Sequence, residues 1–229
     1  MSGWWIADYA DQFGTAFVVS WLFWVIFSIV LHELSHGWVA LALGDDTPRV
    51  TGHMTWNPLV HMGGFSLILL ALIGIAWGAM PVNPSRFRGR FGDAKVSAAG
   101  PAMNLLLAML SAVSCVVWVI VADRMNVQEP LWGNLARFFW IGAFLNVVLA
   151  MFNLIPAPPL DGCRILASFV PAYGRIFESP NGQWFGLGIF LLVFWLAADL
   201  LFAVGMIASL TAINLALAAA GHQTFDPLA

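Results

Sequence analysis

Apolar residues in this chain come in long unbroken runs, not in the alternating or one-sided patterns of water-facing strands and helices. About 20 apolar residues suffice to cross a bilayer as a helix. Four runs qualify: Phe17 to Leu43, Val96 to Ala122, Leu135 to Ile155, and Trp184 to about Gly205. A fifth, Gly63 to Met80, is shorter, rich in glycine and followed by Pro81 and Pro84, so it predicts either a span or a segment that enters the membrane and returns. The tail from Met206 to Ala220 is also apolar and reads as a short last helix or an interfacial one. Arg49 to Trp56 alternates loosely and carries Val50, Thr51 and Thr55, which predicts a short β element at the membrane edge. A proline-rich turn fills Pro156 to Gly162. The expected fold is an all-α polytopic membrane protein with about 4 to 6 transmembrane helices. Residues 1–229 are expected to form one membrane-embedded domain, with its core at 17–164 and C-terminal helices at 184–220.

Composition agrees with that pattern. Of 229 residues, 61% are hydrophobic and 9% charged, with a mean hydropathy of +0.85. Soluble proteins carry roughly 25% charged residues, so this chain cannot cover a water-facing surface. A formal charge of -3 and nine scattered Lys and Arg exclude a nucleic-acid partner. Cys115 and Cys163 make neither a disulfide framework nor a CxxC pair. The first basic residue is Arg49, so the first run lacks the basic start of a cleaved signal and is expected to stay as an anchor.

The candidate chemistry sits inside the first run, as His32-Glu33-Leu34-Ser35-His36. Helix positions i and i+4 share a face, so both imidazoles can reach one zinc ion while Glu33 addresses water bound to it. Chance yields roughly 0.001 occurrences of this HExxH pattern in a chain of this composition. A carboxylate at a membrane-helix centre costs about 2.5 to 3.5 kcal/mol, which metal binding would offset. The spacing therefore points to a hydrolase with one Zn2+ per chain. A third ligand is expected. No further motif histidine follows His36, Glu129 and Glu178 lie in poorly placed loops, and Asp161, after the proline turn, is the better candidate. A solvated loop carboxylate explains Asp161 as well on that ground alone.

HELSH together with Asn153-Leu154-Ile155-Pro156-Ala157-Pro158-Pro159-Leu160-Asp161-Gly162 resembles the site-2 proteases, intramembrane zinc metalloproteases that cut in or beside transmembrane segments of their substrates. Gly52 to His61, Met80 to Arg88 and Ser97 to Asn104 carry further likeness to the compact bacterial members, without PDZ or CBS modules. The resemblance implies that His32, His36 and Asp161 bind zinc, that Glu33 is the catalytic base and that Asn153 holds substrate or the oxyanion. It also implies a membrane-protein substrate within the lipid bilayer. The alternative is a zinc-binding membrane protein without proteolysis, such as a transporter or assembly factor, but the two related halves of a transporter are absent.

Topology can be tested by counting crossings. If 63–80 crosses fully, Asp161 emerges on the face opposite the exit of the first helix and cannot meet the histidines. If it re-enters, the faces match, and Lys and Arg divide seven against two, which puts the site toward the cytoplasm of a multi-pass protein in the bacterial inner membrane. His53, His61, Asn57 and Asn104 read more simply as structural, with Asn104 as interhelical glue. Cys163 should point away from Asp161, and the tryptophans read as interface anchors.

Overall fold

A computed structural model describes residues 4–177 and 180–227. Among these every regular element is helical: α1 (Trp5–Phe13), α2 (Thr15–Ala42), α3 (Thr47–Val50), α4 (Pro58–Ile73), α5 (Gly92–Arg124), α6 (Leu131–Asn153), α7 (Asp161–Phe169), α8 (Pro171–Phe177) and α9 (Pro180–Ala219), with a 3-10 turn at Pro84–Arg86. Four are long and apolar enough to cross a membrane: α2, α5, α6, and α9 from Trp184 onward. The chain is thus a polytopic membrane protein. The Trp184 run and the Met206 tail are one helix, because no proline interrupts them and a lone Gly205 costs only about 1 kcal/mol.

Helices α2, α5 and α6 form the centre. Trp24, Cys115, Val119, Trp140 and Phe144 pack into one buried cluster, with Ala136 and Ala143 letting the backbones approach. Trp24 Nε1 donates to the Phe138 carbonyl at 2.8 Å, tying α2 to α6.

Residues 58–83 make a hairpin that carries the topology. Asn57 caps α4 by accepting the Leu59 N–H at 3.0 Å, with Pro58 at the first turn. Gly63 breaks the helix at φ 67°, a left-handed conformation that glycine adopts without steric cost. The far end of α4 is held near the N-terminus, where Trp4 Nε1 donates to the Ala71 carbonyl at 2.8 Å. Residues 75–83 then return alongside α4 without helical structure. The Ser66 hydroxyl accepts the Trp77 N–H at 2.9 Å and donates to the Trp77 carbonyl at 2.8 Å, and the Ala79 N–H donates to the His61 carbonyl at 2.9 Å. Non-helical backbone at membrane depth requires such internal partners. At the base, the Asn83 N–H donates to Asp45 Oδ2 at 2.7 Å and the Arg88 N–H to the Leu43 carbonyl at 2.8 Å. The hairpin therefore starts and finishes beside the end of α2. The segment re-enters, as the crossing count requires.

The expected strand over Arg49 to Trp56 does not form. Pro48 opens the short helix α3, and Asp45 Oδ1 accepts both the Thr47 N–H, at 3.1 Å, and the Thr47 hydroxyl. Local capping overrides the β preference of Val50 and Thr51. Burial acts to raise the Asp45 carboxyl, but the Asn83 and Thr47 donors hold it below the usual carboxylate range, so this fully buried latch stays ionised.

Single cysteines introduced at Thr51, Ser85 and Gln128, all exposed, test the hairpin. With native Cys115 and Cys163 buried, an impermeant thiol reagent should reach Thr51→Cys and Ser85→Cys from one face and Gln128→Cys from the other. Labelling of Thr51→Cys and Ser85→Cys from opposite faces would show a full crossing instead.

Candidate metal centre

The helical spacing places His32 and His36 one above the other on α2, with rings 4.7 Å apart between centroids. Asp161 comes from a different part of the chain. Leu154 to Leu160 turns back beneath α7, held by N–H bonds from Ala157 to Ile155 and from Leu160 to Ala157 at 2.8 and 2.9 Å. Gly162 allows this, since a Cβ there would stand 2.2 Å from the Leu154 carbonyl oxygen. Arg164 ties α7 to the start of α5 through an ion pair with Asp93 at 2.7 Å. Asp161 Oδ2 consequently lies 3.1 Å from His32 Nε2 and 3.4 Å from His36 Nε2. Of the residues singled out in the sequence, these three form a cluster of metal-ligating groups.

Hydrogen bonds behind the rings settle what the cluster can hold. His36 Nδ1 lies 2.7 Å from the Val96 carbonyl, which can only accept, so that nitrogen carries the hydrogen. His32 Nδ1 lies 2.6 Å from Asn104 Oδ1 and donates likewise. Both Nε2 atoms therefore present lone pairs. Their 3.0 Å approach is not a hydrogen bond, because neither has a proton to give. Asp161 Oδ2, a third acceptor, is buried without a hydrogen-bond partner. Three acceptors converging in a dry site repel unless a cation lies between them. Tetrahedral zinc with ligands at about 2.0 to 2.2 Å separates them by roughly 3.3 to 3.5 Å, close to the spacing here. The residues fit zinc.

Glu33 points beside this cluster and is 7% exposed. The returning limb of the hairpin packs on it at Gly78, where a Cβ would lie 2.8 Å from both Glu33 Cγ and Oε1. Gly100 of α5 faces the imidazoles, and a Cβ there would lie 2.4 Å from His32 Nε2 and 2.5 Å from His36 Nε2. Asn153 is half-buried at the end of α6 and donates from Nδ2 to the Leu149 carbonyl at 3.0 Å. His61 Nε2 meets the Thr55 carbonyl at 2.7 Å and His53 Nδ1 the Thr51 hydroxyl at 3.0 Å, so both stabilise the turn into α4. Burial pushes the Cys163 thiol up, keeping it neutral beside Tyr173, as suits a residue outside the ligand set. Asn104 bonds Asn146 across α5 and α6, as expected of interhelical glue, and also holds the His32 imidazole from behind. Asn146, which bonds Asn104, escaped notice in sequence because one asparagine in an apolar helix carries no spacing signal. Gly78 and Gly100 gave no such signal either.

These features define a multi-pass membrane protein with a His-His-Asp group able to hold a metal ion and a neighbouring glutamate. Residues 20–122 and 119–197 match the model of peptidase family M50. The chain is 38% identical to YwhC of Bacillus subtilis strain 168 over 172 residues, covering 74% of this chain and 77% of that protein. It is 31% identical over 208 residues to Rip2 of Mycobacterium tuberculosis strain H37Rv, covering 86% and 74%, and 26% identical over 184 residues to MJ0392 of Methanocaldococcus jannaschii, covering 76% and 44%. The words zinc metalloprotease stand in the name of each. No solved structure matches. The chain belongs to peptidase family M50, the site-2 protease family, and is a zinc metalloprotease of the membrane.

Gly100→Ala should weaken zinc retention about tenfold or more, since its methyl group displaces both imidazoles, whereas Gly64→Ala, with nothing within 4 Å of its Cβ, should not. Zinc content of the purified variants after mild chelation checks this. Equal zinc in both would contradict the geometry.

Proposed function

We propose that His32, His36 and Asp161 hold the zinc ion and that Glu33 is the general base for hydrolysis of a peptide bond in or beside a transmembrane segment of a substrate protein. The observation that carries this reading is the convergence of three buried lone-pair donors beside a carboxylate. When bound, zinc supplies Lewis acidity toward a peptide carbonyl and makes water acidic enough to lose a proton near neutral pH. Glu33 accepts that proton as the water oxygen bonds to the carbonyl carbon. It then returns the proton to the amide nitrogen as the C–N bond breaks, leaving a carboxylate and an amine. Asn153 keeps one Nδ2–H in its own helix and has a second to offer the substrate or its oxyanion.

A helix hides its carbonyls in its own hydrogen bonds, so the substrate must be held extended to be cut. The returning limb of the hairpin suits that task better than the expected β element, which is helical in part. Backbone groups of Trp77 and Ala79 face α4, whereas among the described residues no hydrogen bond reaches the N–H groups of Ala76, Gly78 and Met80. That free edge runs beside Glu33.

The ligands lie roughly 9 to 15 Å below the end of α2, at 1.5 Å per residue. Arg49, Arg86, Arg88, Arg90, Lys95, Arg164 and Arg175 belong to that end, with Arg124 and Arg137 toward the other, so the positive-inside rule turns the site to the cytoplasm of a bacterial inner membrane. Reagent added outside intact cells should then miss Ser85→Cys.

Glu33→Gln should keep its zinc but lose about a hundredfold or more in cleavage of single-span substrates in detergent or vesicles. Cleavage equal to wild type would remove Glu33 from the mechanism. Ala76→Pro should slow cleavage with zinc content unchanged if the free edge holds substrate.

A further inference from the structure

A thread of polar side chains crosses the apolar centre of the bundle behind His32. Asn146 stands in the middle of α6, fully buried, as are Asn104 on α5 and Ser28 on α2. Asn146 Nδ2 donates to the Ser28 hydroxyl at 2.8 Å and to the Gly142 carbonyl at 2.9 Å. A carbonyl cannot donate, so this amide cannot be turned round: its nitrogen end is fixed against Gly142 and its oxygen must face away. Asn146 Oδ1 accepts from Asn104 Nδ2 at 2.9 Å. The Asn104 amide is fixed in turn, leaving its oxygen 2.6 Å from His32 Nδ1. That nitrogen must carry the ring hydrogen, which leaves the lone pair on Nε2, facing Asp161.

We infer that Asn146 is a positioning residue of the metal centre, which acts through Asn104 to hold His32 in the Nδ1–H tautomer, with the direction set by the backbone carbonyl of Gly142. This rests on the proposed role of His32 as a zinc ligand. Adhesion between helices does not account for the arrangement. Glue would be indifferent to which end of each amide meets which neighbour, whereas this chain runs from an acceptor that cannot reverse to a ring nitrogen that must donate. Metal-binding histidines need their second nitrogen bonded in this sense to present the first. His36 obtains the same tautomer in one step, from the Val96 carbonyl. His32 lacks a backbone acceptor at Nδ1, and the two asparagines bring the polarity of one from α6.

The test uses full-length protein in detergent as wild type, Asn146→Leu, Asn146→Asp and Ser28→Ala. Zinc affinity is measured by competition with a chromophoric chelator. The tautomer is read by nitrogen NMR of histidine-labelled, zinc-free protein, with His32→Ala identifying the signal. Asn146→Leu frees Asn104 to reverse, so zinc should bind about 10- to 100-fold more weakly and the Nε2–H tautomer should appear. Asn146→Asp, whether ionised or with its proton donated to the Gly142 carbonyl, still presents an accepting oxygen to Asn104, and Ser28→Ala leaves the Gly142 lock in place, so both should keep the Nδ1–H form. A folded Asn146→Leu with wild-type zinc affinity and tautomer overturns the inference. If that variant does not fold, Asn146→Asp decides: the Nδ1–H form supports the relay and the Nε2–H form overturns it. A wild type that binds no zinc would sink the ligand assignment instead, and its zinc-free tautomer would still judge the relay.

Discussion

Two imidazole nitrogens and a carboxylate oxygen, none carrying a proton, meet within 3.4 Å inside an apolar bundle. Without a cation this arrangement is repulsive, and its strength grows as water is excluded. Everything around it serves to keep those lone pairs aimed inward. The Val96 carbonyl and Asn104 hold the rings from behind, the turn from Leu154 to Leu160 brings in the carboxylate, and the absence of a side chain at Gly100 leaves room in front. The fold can be read as the scaffold that makes a metal ion the cheapest occupant of this point.

The re-entrant hairpin follows from the same requirement. Asp161 can reach α2 only if the chain crosses an even number of times between the end of α2 and the start of α7; α5 and α6 supply two crossings, and a third complete passage would leave it on the wrong face. Turning residues 58–83 back on themselves corrects the count, but it brings irregular backbone to membrane depth. Ser66 satisfies both polar groups of Trp77, and the Asp45 latch secures the base. The limb so anchored is also the one that presses Gly78 against Glu33. Topology and chemistry are thus joined in one segment.

How much of this could be read from residues alone depends on range. The two histidines and Glu33 were legible because their geometry is local: a helix fixes the relation of positions four apart whatever surrounds it. Asp161 was not legible by spacing, since its place depends on a turn and on three crossings; the proline turn made it a candidate no stronger than a solvated loop carboxylate, and likeness to a family then favoured it. The re-entry of 63–80 was legible because the alternative separates the ligands. The strand over Arg49 to Trp56 failed because Val50 and Thr51 express a weak preference, while Asp45 and Pro48 impose a specific one. Asn146 was invisible because direction in a hydrogen-bonded chain belongs to three helices at once.

Helix α9 shows where the constraint ends. None of its most apolar stretch is buried, in contrast with half or more of the corresponding stretches of α2 and α6. Trp184 and Trp195 are 75% and 77% exposed, so lipid covers this half of the helix. The other half is fixed: Ile213 and Leu217 are fully buried, and Asn214 clamps Phe225 through its N–H and its carbonyl at 2.7 and 3.1 Å. That strap is closed by Arg137 Nε donating to the Pro227 carbonyl at 3.0 Å and by His222 beside Asp123 at 3.2 Å, on the end of the bundle away from zinc. The loosely packed half lies on the zinc side, against Phe152 of the helix that leads into the Asp161 turn. Close packing is therefore concentrated in α2, α5 and α6, which carry the imidazoles or brace them from behind, whereas α9, which among the described residues touches neither imidazole, is secured at the far end.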